Sequence, residues 1–313
     1  MSQQEIYRTL SKQLALPVFF RPWWLDMMST NWDAIVIKEK EEVVAVWPYA
    51  FEQKMGFQLL RNPLLTPYLG PQFFLPQKEK AFGRWNQEDR IYQQFWQQLP
   101  QWDFFEVMCL PGYNNFLPFH QKGFNHTQRI TYHIDLTATE DVMLQGMKSS
   151  QRNHIKQAAQ DLKVMEGTAY LKEFCLHHQQ TFQRKDKRYL YSEPFLTKLI
   201  QTSMEENSGL MLTALHDDGS FAASVFTVYD HDTMYLLLSS FNAQKLHNGA
   251  VSLLIFEAIK KAKSLGLKTF DFEGSMDVGI EGFFRSFGGQ RVPYLCCTQY
   301  NSRLWKWKRS LLG

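Results

Sequence analysis

Apolar and polar positions fall into the same order of elements twice along this chain. From Asp33 to Lys38 the apolar, β-branched run Ala34-Ile35-Val36-Ile37 meets the charged turn Glu39-Lys40-Glu41, and Val43 to Tyr49 resumes as a second strand, which predicts a hairpin. Phe57 to Leu60 is a third strand. Ile91, Phe95 and Leu99 recur at spacings of four in a helix predicted over Glu88 to Gln98, and Trp102 to Cys109 returns to strand. In the second half, Leu210 to Leu215, Phe221 to Tyr229 and Thr233 to Ser239 are predicted as a three-strand meander, separated by His216-Asp217-Asp218-Gly219 and Asp230-His231-Asp232. Val251, Leu254, Ile255, Ala258, Ile259 and Ala262 mark one apolar helix face that stops near Gly266, and Thr269 to Glu273 is again a strand.

Both copies close alike. Phe116-Leu117-Pro118-Phe119-His120-Gln121-Lys122-Gly123-Phe124 and Gly282-Phe283-Phe284-Arg285-Ser286-Phe287-Gly288-Gly289 each read as a short helix followed by a glycine turn. The pattern therefore predicts a duplicated α/β (α+β) architecture of two tandem domains, each a mostly antiparallel sheet flanked by helices. The expected boundaries are 1–128 for the first domain and 129–297 for the second, with the tail 298–313 free to pack on the first. Thr139 to Leu162 is predicted helical, with Lys148, Arg152 and Lys156 on one face. Further helices are predicted over Tyr170 to Phe182 and Pro194 to Met204. The alternation Leu304-Trp305-Lys306-Trp307-Lys308-Arg309 predicts an edge strand rather than a membrane or nucleic-acid patch.

A length of 313 residues with 44% hydrophobic content can bury a sizeable core. The 34 basic and 31 acidic residues leave a formal charge of only +3, so an anion site must be local rather than global. Cys109, Cys175, Cys296 and Cys297 lack metal-ligand spacing and read as reduced core cysteines, and the histidines, His177-His178 included, lack a helix-spaced ligand pattern. No metal is expected. No apolar run approaches the ~20 residues that span a bilayer, and the polar Met1 to Leu10 is unlike a signal peptide, so a cytoplasmic protein is expected.

Several strings resemble the FemABX aminoacyl transferases, which are tandem domains of GNAT type. They are Phe270-Asp271-Phe272-Glu273-Gly274-Ser275 with the Gly282 to Gly289 motif, Ser150 to Ala158 as a basic helix opening the second domain, and Tyr68-Leu69-Gly70-Pro71 in the first. The resemblance implies transfer of an amino acid from aminoacyl-tRNA to an amine, such as that of a peptidoglycan precursor, or use of another acyl donor. It also implies an acceptor cleft between the domains and a tail that returns to the first. Two positions depart from the family: Gln72-Phe73-Phe74-Leu75 lacks the carboxylate that often follows the Gly-Pro pair, and Arg285 stands where lysine is common.

Acyl transfer to an amine needs a neutral nucleophile, a stabiliser for the developing oxyanion and a place for the donor. Period-two alternation sends Phe270 and Phe272 to one face of the strand and Asp271 and Glu273 to the other, so Glu273 at the strand end is the candidate base. Arg285, on the aromatic support of Phe283 and Phe284, is the candidate anion fork; it holds its proton and cannot be the base. Lys148, Arg152 and Lys156 suit a diphosphate or tRNA backbone, and Tyr68 and Phe284 complete the substrate set. No tightly bound cofactor is expected. For coenzyme A, a GNAT domain presents a glycine loop at a helix N-terminus; Lys245-Leu246-His247-Asn248-Gly249-Ala250 holds that place, with Asn248 where the first glycine would be. A Glu273 that only pairs with a nearby cation or caps the next turn, an Arg285 that is a plain surface arginine on a short helix, a solvated basic face, and a silent binding module remain the alternative readings, as does an ordinary acetyl-coenzyme A N-acetyltransferase.

Overall fold

The computed structural model describes residues 1–75 and 80–312. The chain divides into two compact units, one of Met1–Arg129 with the segment from Pro293 onward, the other Ile130–Val292. In the first unit α1 (Gln3–Leu10) and α2 (Pro22–Met28) precede β1 (Trp32–Glu39), β2 (Glu42–Lys54), β3 (Phe57–Arg61), the two-residue β4 (Gln72–Phe73), α3 (Ala81–Gln98), β5 (Phe104–Met108) and α4 (Leu117–Gln121). β1 and β2 join through Lys40 and Glu41, both at positive φ (48° and 69°), the backbone that a two-residue turn between twisted antiparallel strands requires. β3 is antiparallel to β2 and parallel to β5. The core is aromatic: Trp47 on β2 lies within 5.3 to 5.8 Å of Phe95, Trp96 and Phe119, ring centroid to centroid and edge-on.

β6 (Asn125–Asp135) leads into the second unit, followed by α5 (Glu140–Gly146), α6 (Ser149–Asp161), β7 (Lys163–Glu166), α7 (Leu171–Arg184), α8 (Glu193–Glu205), β8 (Gly209–Leu215), β9 (Phe221–Tyr229), β10 (Thr233–Phe241), α9 (Ala250–Ser264), β11 (Thr269–Asp271) and α10 (Val278–Arg285). Its sheet order is β6-β11-β10-β9-β8-β7. β8, β9 and β10 form the expected antiparallel meander, and β11 returns parallel to β10 after α9. A meander, a crossover helix and a parallel strand thus occur in both units, so the fold is two tandem domains of one α/β type, each mostly antiparallel.

β12 (Gln290–Tyr300) and α11 (Arg303–Leu312) close the chain. Residues 293–297, expected with the second domain, lie in the first unit, because Cys296 and Cys297 pair with Met108 and Val107 of β5. Each unit is completed by a strand reached from the other half of the sequence: β12 beside β5 in the first, β6 beside β11 in the second. All four cysteines are buried and free, and burial pushes the Cys297 thiol up to about 12.

Three local expectations change. The helix expected over 139–162 breaks at Met147 and Lys148, where buried Met147 is extended (ψ 151°) and α6 starts afresh. The helix predicted from Glu88 begins at Ala81. The tail expected as an edge strand is helical: Ser302 Oγ accepts from the Trp305 N–H at the first turn, and Trp305 alone of the tail aromatics is buried, against Leu59 and Phe104.

Candidate active site

The parallel pair β10 and β11 holds together over only three residues, ending with Tyr235 opposite Asp271. β10 runs on to Phe241, and its register with β9 shifts between Leu236 and Leu238, a bulge just where β11 ends. Two parallel strands that part at their carboxyl ends leave a crevice, the usual place for a ligand in a sheet of this kind. Strand register sets a row of polar side chains at its floor: His133 of β6, Asp271 of β11 and Tyr235 of β10 are consecutive neighbours.

Asp271 is buried and accepts from Thr131 Oγ1 at 2.5 Å and from the Glu273 N–H at 2.7 Å. His133 Nε2 lies 3.2 Å from its other oxygen, close enough to interact as an ion pair but not aimed as a hydrogen bond. Phe270 and Phe272 point the opposite way, into the core of the unit, as alternation requires. The chain then turns sharply, with Glu273 at φ 57° and Gly274 at φ 70°. A non-glycine residue held in the left-handed region costs roughly 1–2 kcal/mol, and such strain persists where surrounding structure enforces it. Here the turn takes Glu273 out of the strand ladder, which ends at Asp271. Glu273 Oε1 is fully enclosed and has no hydrogen-bond partner among the described residues. Burial first, and the neighbouring Asp271 charge second, push its carboxyl well above the usual carboxylate range. The Glu273 charge in turn helps burial raise the phenol of Tyr191, which stands in the aromatic group Phe182, Tyr189 and Phe195. An enclosed carboxyl of raised pKa with a free oxygen is a stronger base, once ionised, than an ordinary carboxylate, and is a candidate to take a proton from a bound amine.

Arg285 closes α10 with its side chain 61% exposed, and its Nε lies 3.6 Å from Glu281 Oε1. The same carboxylate accepts from the Tyr132 hydroxyl and lies 4.0 Å from Arg291, so Glu281 anchors a small cluster that the sequence did not disclose. Phe284 supports the motif from beneath, 5.0 Å from Phe272, while Phe287 is fully buried. The basic face is divided. Lys148 and Lys156 are exposed, but Arg152 turns back: its Nη1 donates to the carbonyls of Leu144, Gln145 and Met147, the last at 2.5 Å, capping the end of α5. The Arg285 motif and the start of α6 do meet, since the Lys148 N–H donates to Ser286 O at 2.9 Å. Lys148 and Arg285 are therefore neighbours at one end of the unit. Arg285→Ala is expected to change stability by less than about 0.5 kcal/mol and to weaken donor or acceptor binding roughly tenfold, with Arg285→Lys recovering part of it. Equal KM values for the three proteins would refute that.

The loop before α9 is committed to itself. Gly249 N–H donates to His247 Nδ1 and Ala250 N–H to His247 O, at 3.2 and 3.1 Å. Lys245 Nζ reaches Ser220 Oγ at 2.8 Å and pairs with Asp218; Asn248 is exposed. A Cβ on Gly249 would lie 2.3 Å from His154 O, so this glycine serves the close approach of α9 to α6 rather than a phosphate. Tyr68 is a core residue of the first unit, 5.1 Å from Tyr294, and Gln72–Phe73 pairs with β2. Among the described residues no group of three or more histidine, cysteine, aspartate or glutamate side chains could hold a metal, and no helix is long and apolar enough to cross a membrane.

Residues 149–285 match the acetyltransferase (GNAT) domain family. No curated protein matches the sequence significantly. Among solved structures, the chain is similar to FemX, with a TM-score of 0.64 at 13% identity over 85% of this chain and 88% of that one. The C-terminal domain of a putative lysylphosphatidylglycerol synthetase from Agrobacterium fabrum gives a TM-score of 0.52 at 12% identity, over 89% of each chain. A tandem GNAT protein from the clavulanic acid biosynthesis pathway gives 0.52 at 10% identity, over 96% of this chain and 94% of that one. The strained carboxylate turn, the parting parallel strands and the Phe-Gly closing motif all lie in or beside the matched segment, so the second unit carries a domain of the acetyltransferase (GNAT) type, and the chain shares the tandem fold of these solved structures.

Proposed function

We propose that the second unit transfers an aminoacyl group from the ester of a charged tRNA to an amine acceptor, with Glu273 as the base. The observation that carries this reading is the enclosed Glu273 carboxyl, raised in pKa, at the end of β11 beside the crevice. The acceptor arrives as an ammonium, and Glu273 removes one proton to give the neutral nucleophile. Nitrogen attacks the ester carbonyl, the C–N bond forms, the C–O bond to the donor's ribose breaks, and the leaving hydroxyl takes up a proton. The β10 bulge beside the end of β11 is the candidate source of backbone N–H donors for the transient oxyanion. Lys148 and Arg285 supply local positive charge for the donor's phosphates or an anionic acceptor.

Two points favour a charged tRNA over acyl-coenzyme A. The amides of Gly249 and Ala250 are already bonded within their own loop, and Lys245 is paired with Asp218. The structural relative from Agrobacterium is named a putative lysylphosphatidylglycerol synthetase, and that name favours an aminoacyl donor here as well. The acceptor is expected to be an amine such as that of a peptidoglycan precursor, and the place of work the cytoplasm. The test supplies the protein with labelled aminoacyl-tRNA or labelled acetyl-coenzyme A, each with a panel of amines, and follows N-acyl product by mass spectrometry. Product is expected from the first donor, and calorimetry is expected to give acetyl-coenzyme A a Kd weaker than about 10 μM. Submicromolar coenzyme A binding with acetyl transfer would replace this donor by the other.

A further inference from the structure

The tail helix α11 carries Arg303, Lys306, Lys308 and Arg309 and, in its described side chains, no acid. Its inner face is anchored to the first unit: Trp305 is buried, Lys308 Nζ stands 5.1 Å over the ring of Phe57, and the Arg309 guanidinium lies 4.3 Å over Phe104. Its outer face is different. Leu304 and Trp307, one helical turn apart, are 67% and 62% exposed, although large apolar side chains on a short amphipathic helix are normally the ones turned inward. At 100° per residue, Arg303 lies on one flank of the Leu304–Trp307 stripe and Lys308 on the other, with Lys306 beyond Arg303. Among the described residues neither Arg303 nor Lys306 has an ion-pair partner.

We propose that α11 is a peripheral docking surface for an anionic lipid bilayer, Leu304 and Trp307 entering the headgroup region while Arg303 and Lys306 contact lipid phosphates. The chemistry fits that partner better than a nucleic acid. A helix lying in an interface needs an apolar stripe edged by cations, and an aliphatic residue beside tryptophan at the level of the headgroups is what such a surface accepts. A phosphate backbone would engage the cations but give exposed Leu304 nothing to bury. The helix is short enough that it lies on a membrane and does not cross it, and the inference is independent of how the second unit works.

The test is sedimentation of the full-length protein with vesicles of phosphatidylcholine alone or with 30% phosphatidylglycerol, at low and at physiological salt. Binding is expected only to the anionic vesicles, weakening with salt. The variant Leu304→Ser with Trp307→Ser is expected to bind them at least about tenfold more weakly at an unchanged melting temperature, because both side chains are exposed. Arg303→Gln with Lys306→Gln, which removes no apolar contact, is expected to weaken binding by a similar factor. Absence of binding to anionic vesicles, or equal binding by the Leu304→Ser, Trp307→Ser protein, overturns the proposal. So does a result in which both variants keep vesicle binding and only the charge variant loses affinity for bulk tRNA, which would make α11 a nucleic-acid surface.

Discussion

Glu273→Gln is expected to lower acyl transfer by a factor of about 10² to 10³ while making the protein more stable at neutral and alkaline pH. The two effects share one cause. The Glu273 carboxyl is enclosed next to Asp271, so ionising it in the folded protein is unfavourable, and its native pKa stands above the unfolded value. Below about pH 4.3, the usual glutamate value, folded and unfolded chains are both protonated there and the residue contributes no pH dependence. Above it the unfolded chain releases the proton while the native one keeps it. Stability therefore falls as pH rises, by up to about 1.4 kcal/mol for each pH unit, until the raised native pKa is passed. Glutamine has the same shape and no charge, so the variant should lose this dependence, and melting curves from pH 4 to 9 will show whether the two proteins diverge upward. A variant as active as the parent, or one less stable throughout, contradicts the assignment.

The second large effect is expected at the neighbouring residue. A Cβ on Gly274 would lie 2.0 Å from Ile130 O and 2.9 Å from Thr131 Cα, both backbone atoms that cannot swing aside, and the residue sits at φ 70°. Gly274→Ala is therefore expected to cost about 2–4 kcal/mol and to reduce transfer at least as much as Glu273→Gln, because relieving the clash means pushing β11 away from β6 or undoing the turn that holds Glu273. Chemical denaturation measures the first and initial rates the second. Gly282 within α10 makes the control: its added Cβ meets nothing within 4 Å, and Gly282→Ala should be neutral or mildly stabilising. If Gly274→Ala matches that control, the turn is not the constrained feature it is taken to be.

Much of the fold could be read from the sequence because it rests on local chemistry. The period-two runs, the turn clusters and the α9 face at Val251, Leu254 and Ile255 each carry their own signal, and alternation correctly separates Phe270 and Phe272 from Asp271, although the strand expected to reach Glu273 ends at Asp271 and Glu273 stands in the turn beyond it. The tail shows how that signal fails. Trp305-Lys306-Trp307-Lys308 alternates as a strand would, yet Trp305 buried with Trp307 exposed means that the helical period won. Equal spacing also grouped Arg152 with Lys148 and Lys156, although a break at Met147 gives its guanidinium three carbonyls to cap. The partners of the candidate site were out of reach for another reason. His133 and Thr131 reach Asp271 through strand register across more than a hundred residues, Tyr132 meets Glu281 in the same way, and Tyr191 faces Glu273 from the α7–α8 connection. No spacing rule encodes such neighbours.

The central claim is that a carboxyl with a raised pKa, Glu273, accepts the proton that makes an amine nucleophilic. The pH dependence of kcat/KM, measured on the parent protein and on Glu273→Gln with the same aminoacyl donor and amine, tests it most directly. A log rate that climbs with unit slope and levels off well above the usual carboxylate range, with that limb missing from the glutamine variant, is the predicted result. An identical limb in both proteins would show that the titrating group lies elsewhere and that Glu273 is not the base.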